Sequence, residues 1–470
     1  MENVREIVLD ILITLERDGG FEGKLIKAVL DKYDYLEQRD KAFIKRLAEG
    51  TIERRIELDY YIDGFSNTPV KKMKPLIRSV MRMSVYQIIY MDSVPDSAAC
   101  NEACKLIQKR GFLNLKGFVN AVLRNISRNK ALLKLPDMEE NPVSALSVRY
   151  SMPQWIVEMW LYRYGEVVVK RLLDGLLRVH PVSLRFKTSL SGSDIAQIVK
   201  KIEKSGAKLY ENPYLGYVYT AENIDNINEL YGFADGLYTV QDVSSALCVE
   251  MAGIEKDDFI MDICAAPGGK TVLAAELGGR VLARDVSEHK ILLVKENAAR
   301  MQLSNIETQV HDACIKDDGY IEKADVLIMD VPCSGLGIMS KKRDIKYNVS
   351  SENIDSLNEL QKNIVRNSYE YVKKGGLLIY STCTINKKEN EDMVRWIIEN
   401  LPFEPVPIED VLPDSLKEDL YEIKSYTPAT LNLTEDDEIL MKIDKCSAQF
   451  MPGFTESDGF FFAKLRRVGD

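Results

Sequence analysis

The C-terminal half of the chain repeats one pattern, a short apolar run followed by a stretch with helical spacing. The runs are "DFIMDIC" (258–264), "RVLARDV" (280–286), "ETQVHD" (307–312), "ADVLIMDV" (324–331) and "GLLIYSTC" (376–383). Continuous apolar runs are typical of strands buried on both faces, and strands that alternate with helices form parallel sheets. We therefore expect residues 236–470 to form an α/β domain with helices on both faces of a parallel sheet.

The N-terminal part of the chain has a different pattern. Residues 1–132 carry apolar residues three and four apart, as in "REIVLDILITLERD" and "KPLIRSVMRMSVYQIIYMD", which predicts a helical bundle. Residues 133–235 combine the helical "MPQWIVEMWLYRYG" with the strand-like "VSLRFKT" and "GYVYTA", on either side of a second helix, "GSDIAQIVKKIEKSG". We interpret this middle part as a linker with a small α/β subdomain.

Composition excludes several classes of protein. No apolar run approaches the ~18 residues of a membrane span, and acidic residues interrupt the N-terminal stretch in which a signal peptide would lie. We therefore expect a cytoplasmic protein without membrane contact. The eight cysteines include no C-x-x-C pair and the three histidines lack metal-ligand spacing, so the sequence predicts neither a disulfide framework nor a metal site.

Basic residues cluster although the net charge is −10. Lys105–Lys134 contains eight basic and no acidic residues, and Lys71–Arg82 is a second run without an acid. A basic face on an acidic protein fits directed contact with a polyanion. A solvated helical surface is the simpler interpretation of either run taken alone.

A glycine-rich turn, "DICAAPGGKT" (262–271), follows the first predicted strand and opens a helix. It is close to a phosphate-binding G-x-x-x-x-G-K-[ST] loop, but Cys264 stands in place of the first glycine. Asp285 follows Asp262 by 23 residues, near the offset of about 20 at which an acid accepts ribose hydroxyls in doubly wound folds. With Asp312 at the end of the third strand, these residues predict a site for an adenosine-containing cofactor at the carboxyl edge of the sheet.

Two cysteines follow the last two predicted strands, Cys333 in "DVPCSGLG" and Cys383 in "YSTCT". If these strands are neighbours, both thiols face one pocket beside the cofactor. Such a set suits methylation of an unactivated pyrimidine carbon, in which a thiolate adds to C6 and makes C5 nucleophilic. Asp330, if protonated, would donate toward ring N3 with Lys270 as its electrostatic partner. From the chemistry alone, either cysteine could be the nucleophile.

Several of these motifs together resemble a known family. "DICAAPGGKT", "DVPCSGLG", "YSTCT", "VQDVSSAL" (240–247) and the terminal "MPGF…DGFFFAKLRR" are similar to the RNA cytosine-5 methyltransferases that use S-adenosyl-L-methionine. "RDKAFIKRLAEGTI" and "NAVLRNI" resemble the NusB-like helical domain of the Sun/RsmB branch, whose substrate is 16S ribosomal RNA. The resemblance implies a NusB-like RNA-binding domain over 1–132, an RRM-like subdomain within 133–235, and a Rossmann-like methyltransferase domain over 236–470.

The resemblance also implies roles for individual residues. Cys383 would be the nucleophile, Cys333 would help to break down the adduct and release product, and Asp330 would contact cofactor and target base. Asp285 would bind the ribose of the cofactor and Asp312 the adenine side, with Lys290 nearby. The loop that holds the methionine end of the cofactor would be formed by Cys264, Ala265, Ala266, Pro267, Gly268, Gly269 and Lys270. The target would be a specific cytidine, cytosine 967 in the family's RNA.

The sequence departs from the family pattern at two positions. Arg343, in "KKRDIKY", replaces a usual proline, and Lys290 stands where many relatives have arginine. We expect the stretches Lys105–Lys134 and Lys341–Lys346 to contact RNA phosphate, and we expect the protein to be a monomer.

Other functions stay open at this level. The same chemistry could act on tRNA or on another rRNA site, and only the NusB-like domain favours 16S rRNA. A non-catalytic RNA-binding assembly factor would have no need of both thiols. A DNA cytosine-5 methyltransferase would use the Pro-Cys thiol of Cys333 as its nucleophile, but would leave the cysteine of "YSTCT" and the helical domain unexplained.

Overall fold

The computed structural model describes residues 3–18, 22–178, 181–224, 226–427 and 438–469. The chain forms two compact units, residues 1–163 with 341–348, and residues 164–340 with 349–470. The predicted division into 1–132, 133–235 and 236–470 stays a prediction. Among the residues described, no helix is both long enough and apolar enough to span a membrane.

The first unit is helical, as the spacing of its apolar residues predicts. In the first helix, Ile7, Ile11 and Leu12 are buried, and Pro75 occupies the first turn of the fifth helix, where its missing N–H costs nothing. The end predicted for the first helix, at Gly19-Gly20, lies outside the described residues. Its helices are α1 Val4–Asp18, α2 Glu22–Lys32, α3 Gln38–Glu53, α4 Arg55–Phe65, α5 Pro75–Tyr90, α6 Asp96–Lys109, α7 Lys116–Arg128 and α8 Pro142–Tyr150. Helix α9 Gln154–Leu177 begins in this unit and continues past residue 163 into the second unit. Helix α9 is interrupted at Gly165, which has a φ of 76°.

The second unit contains a small antiparallel sheet in the order β2-β3-β1-β4. Its strands are β1 Val182–Phe186, β2 Lys208–Glu211, β3 Val218–Glu222 and β4 Tyr238–Val240, with helix α10 Gly192–Glu203 between β1 and β2. The predicted strands "VSLRFKT" and "GYVYTA" and the helix between them are confirmed. Ser191 caps α10 by accepting a hydrogen bond from the Asp194 N–H, and the Asp194 carboxylate accepts one in return.

The larger sheet runs in the order β10-β12-β9-β8-β5-β6-β7, and β11 pairs with β12. Strands β5 to β9 are mutually parallel, whereas β12 is antiparallel to β9, β10 and β11. The strands are β5 Phe259–Asp262, β6 Arg280–Asp285, β7 Ile306–Val310, β8 Ala324–Asp330, β9 Val372–Thr382, β10 Phe403–Pro405, β11 Ser447–Phe450 and β12 Phe460–Arg467. All five predicted strands are confirmed, and the antiparallel edge was not predicted.

Helices cover both faces of this sheet. Alternate residues of each strand face opposite sides, so Ile260 and Ile328 belong to one apolar cluster, and Met261 and Leu327 belong to another. The remaining helices of the second unit are α11 Val243–Glu250, α12 Gly269–Glu276, α13 Glu288–Arg300, α15 Ser351–Ser368, α16 Glu391–Asn400, α17 Asp414–Tyr426 and α18 Glu438–Cys446, whereas α14 Ile345–Asn348 belongs to the first unit. The fold is thus a helical unit joined to a Rossmann-like α/β unit, and the predicted fold class is confirmed.

The segment 341–348 lies in the second half of the sequence but packs within the helical unit. The Arg343 guanidinium lies 3.1 Å from the Glu53 carboxylate and 3.4 Å from that of Glu49. Lys346 is 4% exposed, and its Nζ donates to the Glu53 carbonyl oxygen at 2.9 Å. The Tyr347 hydroxyl donates to the same carbonyl oxygen at 3.1 Å.

This packing corrects the predicted role of Arg343 and Lys346, whereas contact of Lys341 and Lys342 with RNA stays a prediction. Lys346 is buried against protein and Arg343 is neutralised by carboxylates of the helical unit, so neither presents a free charge to RNA phosphate. Burial lowers the pKa of Lys346 to about 7. Only Lys341 and Lys342 of this basic stretch are exposed. No local pattern predicts this packing, because the acids that face Arg343 lie some 300 residues earlier in the chain.

Candidate active site

The glycine-rich turn leads from β5 directly into α12. Gly268 has a φ of +106°, and a Cβ built on it would lie 3.3 Å from the Cα of Val294, so only glycine fits there without strain. The Ala265 N–H donates to the Arg284 carbonyl oxygen at 2.9 Å, which fixes the turn to β6. The turn therefore has a set shape, with its backbone open to close approach by a ligand.

Asp285, at the end of β6, is held from three sides. Its Oδ2 accepts from the Ala266 N–H at 3.1 Å, and its Oδ1 accepts from the Val286 N–H at 2.7 Å. The Lys290 ammonium lies 3.0 Å from the same Oδ1. Asp285 is thus hydrogen-bonded to the glycine-rich turn, next to which the sequence predicts the ribose of the cofactor. Lys290 forms an ion pair with the Asp285 carboxylate.

Asp262, the last residue of β5, is a buried carboxylate with one unused oxygen. Its Oδ2 accepts from the Thr271 hydroxyl at 2.6 Å. Its Oδ1 is buried and has no hydrogen-bond partner among the described residues. Burial raises the pKa of Asp262 to about 7. An orphaned carboxylate oxygen beside a glycine-rich turn fits the ammonium group of an amino-acid-bearing cofactor such as S-adenosyl-L-methionine.

Lys270 and Asp330 form an ion pair in the interior of the site. The Lys270 Nζ lies 2.8 Å from Asp330 Oδ2, and the Ser381 hydroxyl donates to Asp330 Oδ1 at 2.9 Å. The Nζ also lies 4.9 Å from the ring centroid of Phe460, a cation–π distance. Burial disfavours the charged form of Lys270, but the neighbouring Asp330 carboxylate outweighs it, so the pKa of Lys270 is raised.

The two cysteines are in contact. Strands β8 and β9 pair in parallel with Asp330 opposite Ser381, and just past their ends the Sγ atoms of Cys333 and Cys383 lie 3.2 Å apart. The Cys383 N–H also points to the Cys333 sulfur at 3.3 Å. The contact with Cys383, together with burial, raises the pKa of Cys333 well above that of a free thiol.

This arrangement has the parts of a nucleophilic site. Two thiols in contact cannot both ionise readily, because like charges oppose each other at this distance. One thiolate can therefore form while the neighbouring thiol keeps its proton. Asp330 lies opposite Ser381, the residue before Thr382, in the pairing of β8 with β9. The Lys270–Asp330 ion pair therefore supplies fixed charge and hydrogen-bonding groups beside the thiols.

Other predicted residues lie farther from this centre. Asp312 is exposed two residues beyond the end of β7, and its Oδ1 accepts from the Cys314 N–H at 2.9 Å. Cys264 is partly buried within the turn, and burial raises the pKa of its thiol. Of the cysteines outside the predicted site, Cys100, Cys104, Cys248 and Cys446 are buried, whereas Cys314 is partly exposed. The roles assigned to the individual site residues stay predictions.

Sequence reasoning missed two polar residues beside the cysteines, Glu389 and Asn390. Both are fully buried and both hydrogen-bond to residues adjacent to the cysteines. Their only signal in the sequence is the position just after the last strand, inside the charged stretch "NKKENED", which is typical of a solvated loop.

The basic stretch Lys105–Lys134 forms part of the helical unit, and there it is not free of acids. The distances from Lys105 to Glu102, from Lys109 to Glu6, from Arg110 to Asp10 and from Lys130 to Asp96 are each 2.7 Å. No acidic residue lies within the stretch itself, but in the folded protein α1 and α6 place carboxylates next to its basic side chains. Its contact with RNA stays a prediction, and the exposed Arg128 in α7 has no ion pair within the described ranges.

Comparison with sequence families gives two matches. Residues 250–466 match a family described as 16S rRNA methyltransferase RsmB/F, and residues 2–128 match the NusB family. The first match includes every residue of the candidate active site, and the second lies within the helical unit.

Individual relatives match over the full length of the chain. The chain is 31% identical to the probable ribosomal RNA small subunit methyltransferase B of Bacillus subtilis (strain 168) over 475 aligned positions, which cover 99% of each chain. It is 28% identical to the protein of the same name from Synechocystis sp., with complete coverage of both chains.

Solved structures share the fold. The crystal structure of PH0851 superposes with a TM-score of 0.76 at 21% identity, covering 99% of both chains. The structure described as NSun6 from Pyrococcus horikoshii with SFG superposes with a TM-score of 0.53 at 19% identity, covering 68% of this chain and 99% of that one.

Proposed function

Because the chain belongs to the RsmB family of 16S ribosomal RNA methyltransferases, we propose that it methylates C5 of one cytidine in that RNA through a covalent Cys383 adduct. The methyl donor of the family is S-adenosyl-L-methionine, and the NusB domain is its RNA-binding part. The family resemblance gives cytosine 967 as the target nucleotide.

The observation that supports this chemistry most directly is the 3.2 Å contact between the sulfur atoms of Cys333 and Cys383, beside the Lys270–Asp330 ion pair. A binding protein gains nothing from two thiols in contact at the end of a buried sheet. A covalent route to C5 uses both, one to make the bond to the base and one to help break it.

The residues of the turn would hold the cofactor. The orphaned Oδ1 of Asp262 accepts from its ammonium group, and Asp285 accepts from its ribose hydroxyls. When bound, S-adenosyl-L-methionine supplies an electrophilic methyl group.

In the first step, Cys383 attacks the target base. Its thiolate adds to C6, and the electron pair of the C5–C6 double bond shifts so that C5 becomes nucleophilic. Asp330, positioned by Lys270 and Ser381, donates a hydrogen bond toward ring N3 when it is protonated, and the Lys270 ammonium offsets the negative charge that builds on the ring. The target base must leave its stack to reach these groups.

In the last step, Cys333 helps to release the product. Its pKa is raised chiefly by the contact with Cys383, and that contribution disappears once Cys383 is a thioether. Cys333 can then lose its own proton to solvent, and the thiolate so formed takes the C5 proton. The electron pair of the broken C5–H bond restores the C5–C6 double bond and expels Cys383 as a thiolate.

Methylation mapping tests this function. The purified protein is incubated with methyl-labelled S-adenosyl-L-methionine and, separately, with unmodified 16S rRNA, total tRNA and a DNA duplex of the same sequence as the rRNA target. We expect label in 16S rRNA alone, at one cytidine, as 5-methylcytosine. Label in tRNA, in DNA, or at another ring position would overturn the proposal, and so would an absence of label in all three.

A further inference from the structure

Glu389 is a fully buried carboxylate that the mechanism above does not use. It ends the short 3₁₀ turn Lys387–Glu389 that links β9 to α16, and it is 0% exposed. No lysine, arginine or histidine forms an ion pair with it in the described part of the chain. A buried charge without a counter-charge costs several kcal/mol unless hydrogen bonds satisfy it, so its contacts indicate why it is tolerated.

Four hydrogen bonds satisfy this carboxylate. Its Oε1 accepts from the Ser334 N–H at 2.8 Å and from Gln361 Nε2 at 3.1 Å. Its Oε2 accepts from the Ser334 hydroxyl at 2.5 Å and from Asn386 Nδ2 at 2.9 Å. All four partners are donors. Burial raises the pKa of Glu389, and these hydrogen bonds oppose that shift because they favour its charged form.

These contacts bracket Cys333. Ser334, which follows Cys333, is held by both its N–H and its hydroxyl. The same Gln361 amide that donates to Glu389 also donates to the Pro332 carbonyl oxygen at 2.9 Å. The backbone is thus fixed on both sides of Cys333 by groups attached to Glu389.

The next residue, Asn390, brackets Cys383 in the same way. Its Oδ1 accepts from the Thr382 hydroxyl at 2.6 Å, and its Nδ2 donates to the Thr384 carbonyl oxygen at 3.1 Å. Asn390 is also fully buried. It therefore holds the residues before and after Cys383.

A hydrogen bond between two hydroxyls connects the Glu389 contacts around Cys333 with the Asn390 contacts around Cys383. The Oγ of Ser334 lies 2.7 Å from Oγ1 of Thr384. Because Ser334 gives its hydroxyl proton to Glu389, Thr384 must be the donor in this pair. The two cysteine loops are thus connected through residues adjacent to the cysteines, and not only through the sulfur atoms.

We propose that Glu389 and Asn390 are positioning residues of the methyl-transfer reaction, Glu389 for Cys333 and Asn390 for Cys383. This inference rests on the proposed function. Misplacement of a reacting group by about 1 Å can cost about 100-fold in rate, and these side chains fix the two thiols at contact distance. The charge of Glu389 has a second effect, since it contributes to the raised pKa of Cys333 and so keeps the proton on Cys333 while Cys383 attacks.

Two near-isosteric variants separate the two roles. Glu389→Gln places an amide NH₂ against donors at the Cys333 loop, and Asn390→Asp removes the donor to Thr384. Glu399→Gln is the matched control, because Glu399 is exposed in α16 and forms a surface ion pair with Arg395 at 2.8 Å. Each protein is mixed with 16S rRNA and saturating S-adenosyl-L-methionine, and the rates of formation and decay of the covalent protein–RNA adduct are followed on denaturing gels.

We expect Asn390→Asp to slow adduct formation and Glu389→Gln to slow adduct decay, each by about 100-fold, with cofactor affinity unchanged. Glu389→Gln should also shift the pH profile of adduct decay toward lower pH, because loss of the negative charge lowers the pKa of Cys333. Equal loss in both steps for both variants, explained by lower melting temperatures, would overturn the inference, and so would rates equal to those of Glu399→Gln. Failure of the wild type to form 5-methylcytosine would instead contradict the proposed function.

Discussion

The sulfur atoms of Cys333 and Cys383 lie 3.2 Å apart, at the carboxyl ends of two adjacent parallel strands. At that distance the ionisation of one thiol opposes that of the other. The contact with Cys383 is the main cause of the raised pKa of Cys333. The pair therefore favours a division of roles, in which one thiol attacks while the other keeps its proton.

We expect Asp262→Asn to raise the stability of the protein and to lower its affinity for the cofactor. Burial raises the pKa of Asp262 from its ordinary value to about 7, so the folded protein holds a proton that the unfolded chain loses above about pH 4. The contribution of Asp262 to the free energy of unfolding therefore decreases as pH rises from about 4 to 7. An asparagine does not titrate, so the variant does not lose this stability. Thermal melts without cofactor should show Asp262→Asn more stable than the wild type at pH 8 and similar to it at pH 4.

The same variant should bind cofactor more weakly. A hydrogen bond to a charged group contributes about 1.5–3 kcal/mol, so titration calorimetry with S-adenosyl-L-methionine should show a Kd increase of about 10- to 100-fold. An unchanged Kd would remove Asp262 from the cofactor site.

Lys270→Met should abolish most of the activity while the protein stays folded. It removes the cation that lies 2.8 Å from Asp330 and leaves that carboxylate without its partner near the target base. Loss of one preorganised electrostatic group costs about 10²- to 10³-fold in kcat, measurable by methyl transfer under saturating cofactor. Lys295→Met, at an exposed position of α13, is the control and should keep full activity.

Arg343→Ala should destabilise the helical unit. Arg343 balances the carboxylates of Glu22, Glu49 and Glu53, and its removal leaves them facing one another. Breaking a buried pair costs about 3–5 kcal/mol, and the partial exposure of this cluster reduces the expected loss to about 2 kcal/mol. Chemical denaturation of the full chain measures it. Lys45→Ala, at an exposed position of α3, should have no effect, and equal stability of both variants would mean that segment 341–348 does not support the helical unit.

Arg128→Ala should weaken RNA binding more than Lys109→Ala does. The Lys109 ammonium lies 2.7 Å from the Glu6 carboxylate, so part of its charge is already balanced, whereas Arg128 is exposed without such a pair within the described ranges. Each cation that neutralises a phosphate adds about 0.9 to the slope of log K against log salt. Binding of a 16S rRNA fragment across a salt series should show this slope reduced for Arg128→Ala and nearly unchanged for Lys109→Ala.

Much of the α/β unit could be predicted because its signals are local. Continuous apolar runs mark β5 to β9, and parallel strands bring their carboxyl ends to one edge, so Asp285, Asp330, Cys333 and Cys383 could be placed together from the sequence. The glycine of the turn at position 268 is likewise required by its own backbone.

The features that were not predicted depend on distant parts of the chain. Strand β12 pairs with β9 across about 80 residues, and no turn signal joins them. The sequence of segment 341–348 is typical of an exposed basic loop, whereas in the structure it packs against carboxylates of α2 and α3. From the sequence, Glu389 and Asn390 are typical of solvated residues. Their burial depends on hydrogen-bonding partners in other loops, and local sequence does not show those partners.

The central claim is that Cys383 attacks and Cys333 releases. Cys383→Ala and Cys333→Ala are incubated separately with 16S rRNA and methyl-labelled S-adenosyl-L-methionine, and the products are separated on a denaturing gel. We expect neither adduct nor label transfer with Cys383→Ala, and a stable labelled protein–RNA adduct with Cys333→Ala. A trapped adduct with Cys383→Ala, and none with Cys333→Ala, would contradict it.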